Sequence, residues 1–466
     1  MVFSSAIFLF AFLPICLLLY YLVNQKYKNI VLLFFSIVFY AWGETNYLWL
    51  IGLSILFNYF IGIFIYKVQA FKWSILCFGV LVNVSVLFFY KYSGFFVELF
   101  NSQSNYFKQL ILPLGISFYT FHSISYLVDI YRGKANPQYN FIKMGLYIVN
   151  FPQLVAGPIV RYHDVEHQLS HRKHFLNRFN NGVKLFIYGL AKKMIIANSV
   201  GMVADVIFDK SYGDFSNIYA WIGVFSYTLQ IYFDFSGYSD MAIGIGKMLG
   251  FEFKQNFNLP YSSKSIREFW QKWHISLSSW FRDYVYIPLG GNKQGAIRTG
   301  INLMLVFVLC GFWHGANFTF LVWGLFHGFF LVLERVAHFK FLNNIPRVIK
   351  QFYVWITVMI GWVFFRSNSI EEALCMIRKM FYLTPNSLTM PDVASFITPY
   401  FVAIVIIGFM ISTGFFKTSV LHCLKKRVLA IHAFRKLEAL GLLFLFLWSV
   451  LEVVNSSYNP FIYFRF

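Results

Sequence analysis

Charged residues are scarce, 12% of a 466-residue chain, and acidic ones are the scarcest, 19 against 39 Lys and Arg. With 58% hydrophobic and 22% aromatic residues, the chain cannot be a water-soluble globule, because its polar residues could not cover the surface. Cysteine is sparse as well. Cys16, Cys77, Cys310, Cys375 and Cys423 show no CxxC spacing and sit mostly in apolar segments, which argues against a disulfide framework and a zinc knuckle. Missing too are a Gly/Ser linker, a soluble domain, an internal repeat of clear period, and two halves with matching broken helices. The last absence argues against a transporter built on inverted repeats. The formal charge of +20 resembles a nucleic-acid signature. However, the Lys and Arg lie in short loops between apolar runs, where they anchor orientation, and no basic stripe with base-stacking spacing appears. No nucleic-acid partner is expected.

What is present is a series of apolar runs. Those near 6–23, 29–42, 47–66, 73–90 and 111–130 read as membrane spans. The first lacks a positive n-region and a cleavage site, so a retained span is expected. Lys26 and Lys28 follow the first run, Lys67 and Lys72 the third, and Arg132 and Lys134 the fifth, with Glu44 and Glu98 in the alternate loops. The positive-inside rule then puts the N-terminus outside and the basic loops in the cytoplasm.

The piece from Phe141 to Val160 contains FPQLVAGPI, whose prolines and glycine would break a span, and both its flanks are basic. A re-entrant element is expected, its broken backbone buried in protein or lining a cavity. Further spans fall near 185–207, 218–238, 299–314, 318–334, 351–366, 397–416 and 437–455. An acidic loop from Asp209 to Asp214 would lie outside. The basic segments 247–298, Arg335, Lys340, Arg347 and Lys350, and Lys417 to Lys436 would lie inside. The expectation is an all-α polytopic membrane protein with roughly 11–12 transmembrane helices plus re-entrant and interfacial amphipathic helices. One integral-membrane domain over 1–466 is expected, with N-terminal helices 1–135, a core 140–335 and C-terminal helices 350–466.

Two histidines stand out. Ser265 and Glu268 form a capping box, so a helix is predicted from there to the Pro288-Leu-Gly-Gly-Asn292 turn. Ile266, Phe269, Trp270, Trp273, Leu277, Trp280, Phe281 and Tyr284 recur at helical spacing as a buried stripe. His274, four residues after Trp270 and three before Leu277, belongs to that side. His314 ends an apolar run whose one strongly polar member is Asn302, inside Gly311-Phe-Trp-His-Gly315. The glycines there let a substrate or helix approach the backbone. An interfacial anchor with a hydrogen-bonded histidine is the bland reading of the first, and a satisfied structural histidine that of the second.

Other candidates have structural explanations of their own. His163, His167, His171 and His174 sit in RYHDVEHQLSHRKH, where the interleaved Arg172 and Lys173 argue against a metal site. Asp129, Asp234 and Asp240 suggest helix pairing, a tunnel lining or a proton path. Cys310, one turn before His314, reads as a packed core cysteine rather than an acyl relay. His122 and His327 rank second, His327 because thirteen residues put it off the His314 helical face.

Five stretches then carry a resemblance: LPLGISFYTFHSISYLVDIYRG at 112–133, NFPQLVAGPIVR at 150–161, YFDFSGYSDMAIGIGKMLGF at 232–251, EFWQKWHISLSSWFRDYVYIPLGGN at 268–292 and GFWHGANFTFLVWGLFHG at 311–328. The closing NPFIYFRF adds an aromatic tail. The chain resembles the membrane-bound O-acyltransferases, in the branch of alginate O-acetyltransferases and related polysaccharide acetylases, with the D-alanyl transferases of teichoic acids the nearest rival.

The resemblance implies a central tunnel and His314 as the active-site histidine, with His274 at the second histidine position. It further implies an acyl thioester such as acetyl-CoA as donor substrate, no bound cofactor or metal, and a polysaccharide acceptor. An extracytoplasmic SGNH-type partner, membrane lipid around the protein and residence in the bacterial cytoplasmic membrane also follow from it. Trp270, Trp273, Trp280, Arg282, Trp313 and Asn317 are the expected donor-binding residues. A polysaccharide or lipid transporter using the carboxylates and basic rims is the competing class, and it leaves the two histidines without a task.

Overall fold

The computed structural model describes residues 1–100, 110–210, 215–336, 345–382, 391–415, 430–456 and 458–462. Residues 211–214 of the expected acidic loop, Lys340, Cys423, most of the Lys417 to Lys436 segment and the last four residues of the aromatic tail lie outside these.

Helices account for all the regular structure among the described residues. They are α1 (Leu13–Leu22), α2 (Lys28–Gly43), α3 (Leu48–Lys67), α4 (Lys72–Leu99), α5 (Ile116–Tyr131), α6 (Phe141–Val149), α7 (Phe151–Leu154), α8 (Tyr162–Ser170), α9 (Leu176–Ala191), α10 (Asn198–Asp209) and α11 (Asn217–Met248). After them come α12 (Ile266–Lys272), α13 (Ile275–Phe281), α14 (Gly295–His314), α15 (Phe318–Val336), α16 (Arg347–Arg366), α17 (Ile370–Phe381), α18 (Pro391–Ala394), α19 (Pro399–Thr413) and α20 (Ala430–Asn455). Among the described residues, six helical segments are long and apolar enough to cross a membrane: 48–67, 69–99, 295–314, 318–335, 347–366 and 436–455. Three shorter apolar helical segments lie at 8–22, 28–43 and 399–413.

The contacts divide the chain into two compact units: Met1–Phe186 with Tyr238–Gln255, and Ile187–Gly237 with Asn256–Phe466. In the first, the expected break in the Phe141 to Val160 piece falls at Asn150, where α6 gives way to α7 with Pro152 in its first turn. The backbone from Met144 to Tyr162 is buried throughout, so its unpaired groups must be met inside the protein. Ser36 does this for one of them, accepting from Phe151 N at 3.2 Å. The histidines of the basic segment go separate ways: His163 Nδ1 lies 2.7 Å from Asp129, His174 Nε2 lies 2.9 Å from Tyr20 Oη, and His167 stacks on His171. Among the described residues no group of three His, Cys, Asp or Glu is arranged to hold a metal ion.

In the second unit α14 and α15 pack as a tight antiparallel pair. Gly311 lies against the Phe320 carbonyl and Gly324 against that of Phe307, each where a Cβ would collide. α10 is entered through a π-helical turn, Lys192–Ala197. Its Lys193, 3% exposed, pairs with Asp234 of α11, 1% exposed, at 2.7 Å. The tail completes this buried pair: Lys193 donates to the Pro460 carbonyl, and Ile462 N donates to Asp234 at 2.9 Å. The helix-pairing role weighed for Asp234 is the one it fills. Removing one partner of a buried pair leaves an uncompensated charge. Asp234→Leu is therefore expected to lower stability by about 3–5 kcal/mol, and adding Lys193→Met to recover most of that loss, as read from unfolding transitions in detergent.

Candidate active site

The predicted continuous helix from Ser265 to Pro288 is broken at its centre. Ser265 does cap α12, its hydroxyl accepting from Glu268 N at 3.0 Å. The chain then leaves the helix at Trp273 and turns through His274 in the left-handed region, φ 42°. A non-glycine residue there costs about 1–2 kcal/mol and persists only where its surroundings enforce it. The segment 256–258 supplies that enforcement. Asn256 O accepts from Ile275 N at 2.9 Å, Asn258 N donates to Lys272 O at 3.0 Å, and Asn256 Oδ1 accepts from Ser276 N at 3.1 Å. His274 is buried as expected, but by this turn and not by its place on a helical stripe. A third departure follows Phe281, where the backbone widens into a π-turn over Arg282–Tyr286.

His314 closes α14, with Gly315 as its cap. Both imidazoles are enclosed by aromatic rings and take Trp313 as a common neighbour. Its centroid lies 6.4 Å from that of His274 and 4.9 Å from that of His314. Phe235 packs edge-on against His274 at 4.6 Å; Trp323 at 5.2 Å and Phe365 at 5.0 Å flank His314. Burial pushes the His274 imidazole down to about 3, because desolvation disfavours the charged ring.

Beside this cluster lies a cavity of about 1210 Å³. It is lined by Lys264, Arg267, Arg282, Arg335 and Lys350 together with Trp270, Leu277, Phe281, Phe307, Cys310 and Leu331. Its one carboxylate, Glu334, is already engaged, accepting from Ile266 N at 2.6 Å, Arg267 N at 3.0 Å and Tyr353 Oη at 3.3 Å. The cavity thus combines excess positive charge with an apolar wall, as an anionic amphiphile requires. Neither histidine lines it. Trp270 does, and Trp270 packs on Trp323 at 5.5 Å, which in turn packs on His314.

A buried pair of imidazoles beside a cationic, half-apolar cavity suits transfer chemistry on an anionic donor, and the comparisons agree. A family model described as membrane-bound O-acyltransferase matches residues 132–370. The probable alginate O-acetylase of Azotobacter vinelandii is 40% identical over 100% of both chains. The chain belongs to the membrane-bound O-acyltransferase family. The probable alginate O-acetylase of Pseudomonas aeruginosa is 45% identical over 82% of this chain and 75% of its own. The peptidoglycan O-acetyltransferase of Helicobacter pylori is 39% identical over 83% and 81%. The protein is thus an O-acyltransferase and a multi-pass membrane protein, as its motifs suggested.

The other nominated residues of this acyltransferase scatter. Arg282, like Trp270, lines the cavity, although its guanidinium is paired with Asp283 at 2.8 Å. Trp273 packs against Trp362 at 4.9 Å and Phe257 at 5.1 Å; Trp280 packs against Tyr284 at 5.2 Å. Asn317 begins α15, accepting from Thr319 N and donating to Asn368 O. Asn302 donates to the Leu289 and Gly291 carbonyls and so holds the turn after α13 against α14.

Two residues near the site escaped sequence reasoning. His327 was set aside because it lies off the His314 helical face, but α14 ends at His314 and His327 belongs to α15. There it meets the same Trp323 ring at 5.2 Å and Trp270 at 5.1 Å. Both its ring nitrogens lack a hydrogen-bond partner among the described residues. The Gly315-Ala-Asn317 sequence was the available sign that the helix stops. Asn256 gave no sign at all, since its role depends on a turn eighteen residues away.

The depressed His274 value has a thermodynamic signature. The unfolded imidazole titrates near 6.5, so between about pH 6.5 and 3 the unfolded chain binds a proton that the folded chain refuses. Stability then falls as the pH drops through that window, by up to about 1.4 kcal/mol per pH unit. His274→Gln should flatten the dependence by that amount, measured as the difference in unfolding free energy against pH for the two proteins.

Proposed function

We propose that the enzyme moves an acetyl group from a cytoplasmic thioester, acetyl-CoA in the simplest case, to a hydroxyl of a cell-envelope or secreted polysaccharide. Transfer is direct or by way of an extracytoplasmic SGNH-type partner. The convergence of His274 and His314 on Trp313, beside a cavity rich in cations, carries this reading. The names of the relatives support the acetyl group and a glycan acceptor.

A hydroxyl is a poor nucleophile near neutral pH, so an imidazole must take its proton as the oxygen attacks the carbonyl. His314 is that base and His274 its partner. The C–O bond forms as the C–S bond breaks, and the hydroxyl proton ends on the thiolate sulfur. Lys264, Arg267, Arg335 and Lys350 suit the donor's phosphates, and the positive-inside rule supports a cytoplasmic position for them. Residues 1–466 form one integral-membrane domain of the bacterial cytoplasmic membrane, and 140–335 is its catalytic core. A central tunnel gives the acyl group its route between the two faces.

The test incubates purified protein with labelled acetyl-CoA and a glycan acceptor. Release of CoA and labelling of the acceptor are expected, with a loss of at least about 100-fold in His314→Ala at normal expression. Full activity in that variant contradicts the assignment. Transfer from a D-alanyl thioester alone would move the chain to the teichoic-acid branch, and glycan flux without CoA release would make it a transporter.

A further inference from the structure

The amide of Asn256 sits at the centre of the His274 turn and is fully buried. Three groups converge on its Oδ1: Ser276 N at 3.1 Å, Ser276 Oγ at 2.9 Å and His274 Nδ1 at 3.2 Å. A backbone N–H can only donate, so the amide atom that faces Ser276 N is the oxygen and not the nitrogen. An amide oxygen can only accept. The hydrogen between it and His274 therefore belongs to the imidazole, which fixes the ring as the Nδ1–H tautomer and puts its lone pair on Nε2. Phe235 packs against the same imidazole with its ring at 82° to it and restricts the ring plane further. The same Asn256 supplies the backbone acceptor for Ile275 N, so one residue sets the turn, the ring orientation and the tautomer together.

This choice has a chemical consequence for the reaction proposed above, on which the inference rests. A neutral ring protonated on Nδ1 cannot donate from Nε2 to a thioester carbonyl; it can only accept there. We infer that Asn256 is a positioning residue of the acyl-transfer site, holding His274 so that Nε2 accepts a hydrogen bond from a hydroxyl of the acceptor beside the attacking one. The ring thereby orients the acceptor toward the carbonyl, while His314 takes the proton of the attacking hydroxyl and passes it to the departing sulfur. Charged groups on the elements packed around His274 have partners of their own. Asp234, beside Phe235 on α11, is held by Lys193, and Lys272 and Glu268 on α12 pair with each other at 2.7 Å. His314 shares Trp313 with His274 as a neighbour.

Replacing the amide with a carboxylate keeps the acceptor but adds a negative charge beside Nδ1–H, which favours the imidazolium and blocks Nε2 with a proton. In Asn256→Asp the acid limb of the kcat profile for CoA release should move up by at least one pH unit, with activity approaching that of the parent on the alkaline side. Asn256→Leu should lose about ten-fold or more in kcat at all pH values while the donor KM stays within about two-fold. An unshifted acid limb in the Asp variant, or a Leu variant whose kcat per folded molecule equals that of the parent, overturns the inference. Should both variants fail to fold, 15N spectra of the histidine-labelled parent decide. A protonated Nδ1 with an unprotonated Nε2 at His274 is expected, and the reverse pattern refutes the assignment. His274→Gln separates the two levels. If it keeps full activity, the reading of the site fails; if it is inactive and the Asp variant shows no shift, the positioning role alone fails.

Discussion

A helix interrupted away from water leaves backbone N–H groups that must be satisfied by the protein itself, and the site grows out of that constraint. The break between α12 and α13 strands the amides of Ile275 and Ser276, and the backbone and side chain of Asn256 accept both. What the chain gains is an imidazole held off any regular helix, its ring in contact with the Asn256 amide and with Phe235. A continuous helix would have given His274 only the direction its register allows. The strained turn gives it a chosen one, and residues in sparsely populated backbone regions cluster where function needs such placement.

The same economy of polar partners runs through the second unit. Glu334 uses its oxygens on the first amides of α12, where an anion would otherwise be favoured, and the cations around the cavity still outnumber it. Lys193 and Asp234 neutralise each other and are finished by the tail backbone. Asn302 ties the turn after α13 to the helix that ends in His314. Each contact fixes one element relative to another, and together they bring two histidines forty residues apart in sequence to the same tryptophan.

Much of this is legible in the sequence. Composition excluded a soluble protein, the cap at Ser265 was visible as Ser and Glu at the right spacing, and Pro152 marked the break in the 141–160 piece. His314 stood out because an ionisable ring ending an apolar run needs a reason. Other features were hidden for physical reasons. The stripe from Ile266 to Tyr284 keeps helical spacing across a break because burial sets the pattern on both sides, and periodicity does not register a left-handed residue that tertiary hydrogen bonds enforce. His327 was misjudged by extending one helix through Gly315. Asn256 could not be found at all, since an asparagine in a loop has no local mark of the turn it will hold.

In this mechanism the aromatic enclosure around His274 and His314 receives the transferred group from the cationic cavity beside it. A structure with a non-cleavable thioether analogue of acetyl-CoA tests this directly. Phosphates against Lys264, Arg267, Arg335 and Lys350 and the acetyl end within hydrogen-bond reach of the two imidazoles are expected. An analogue bound elsewhere, or seated in the cavity with its acetyl end turned away from both rings, would contradict it.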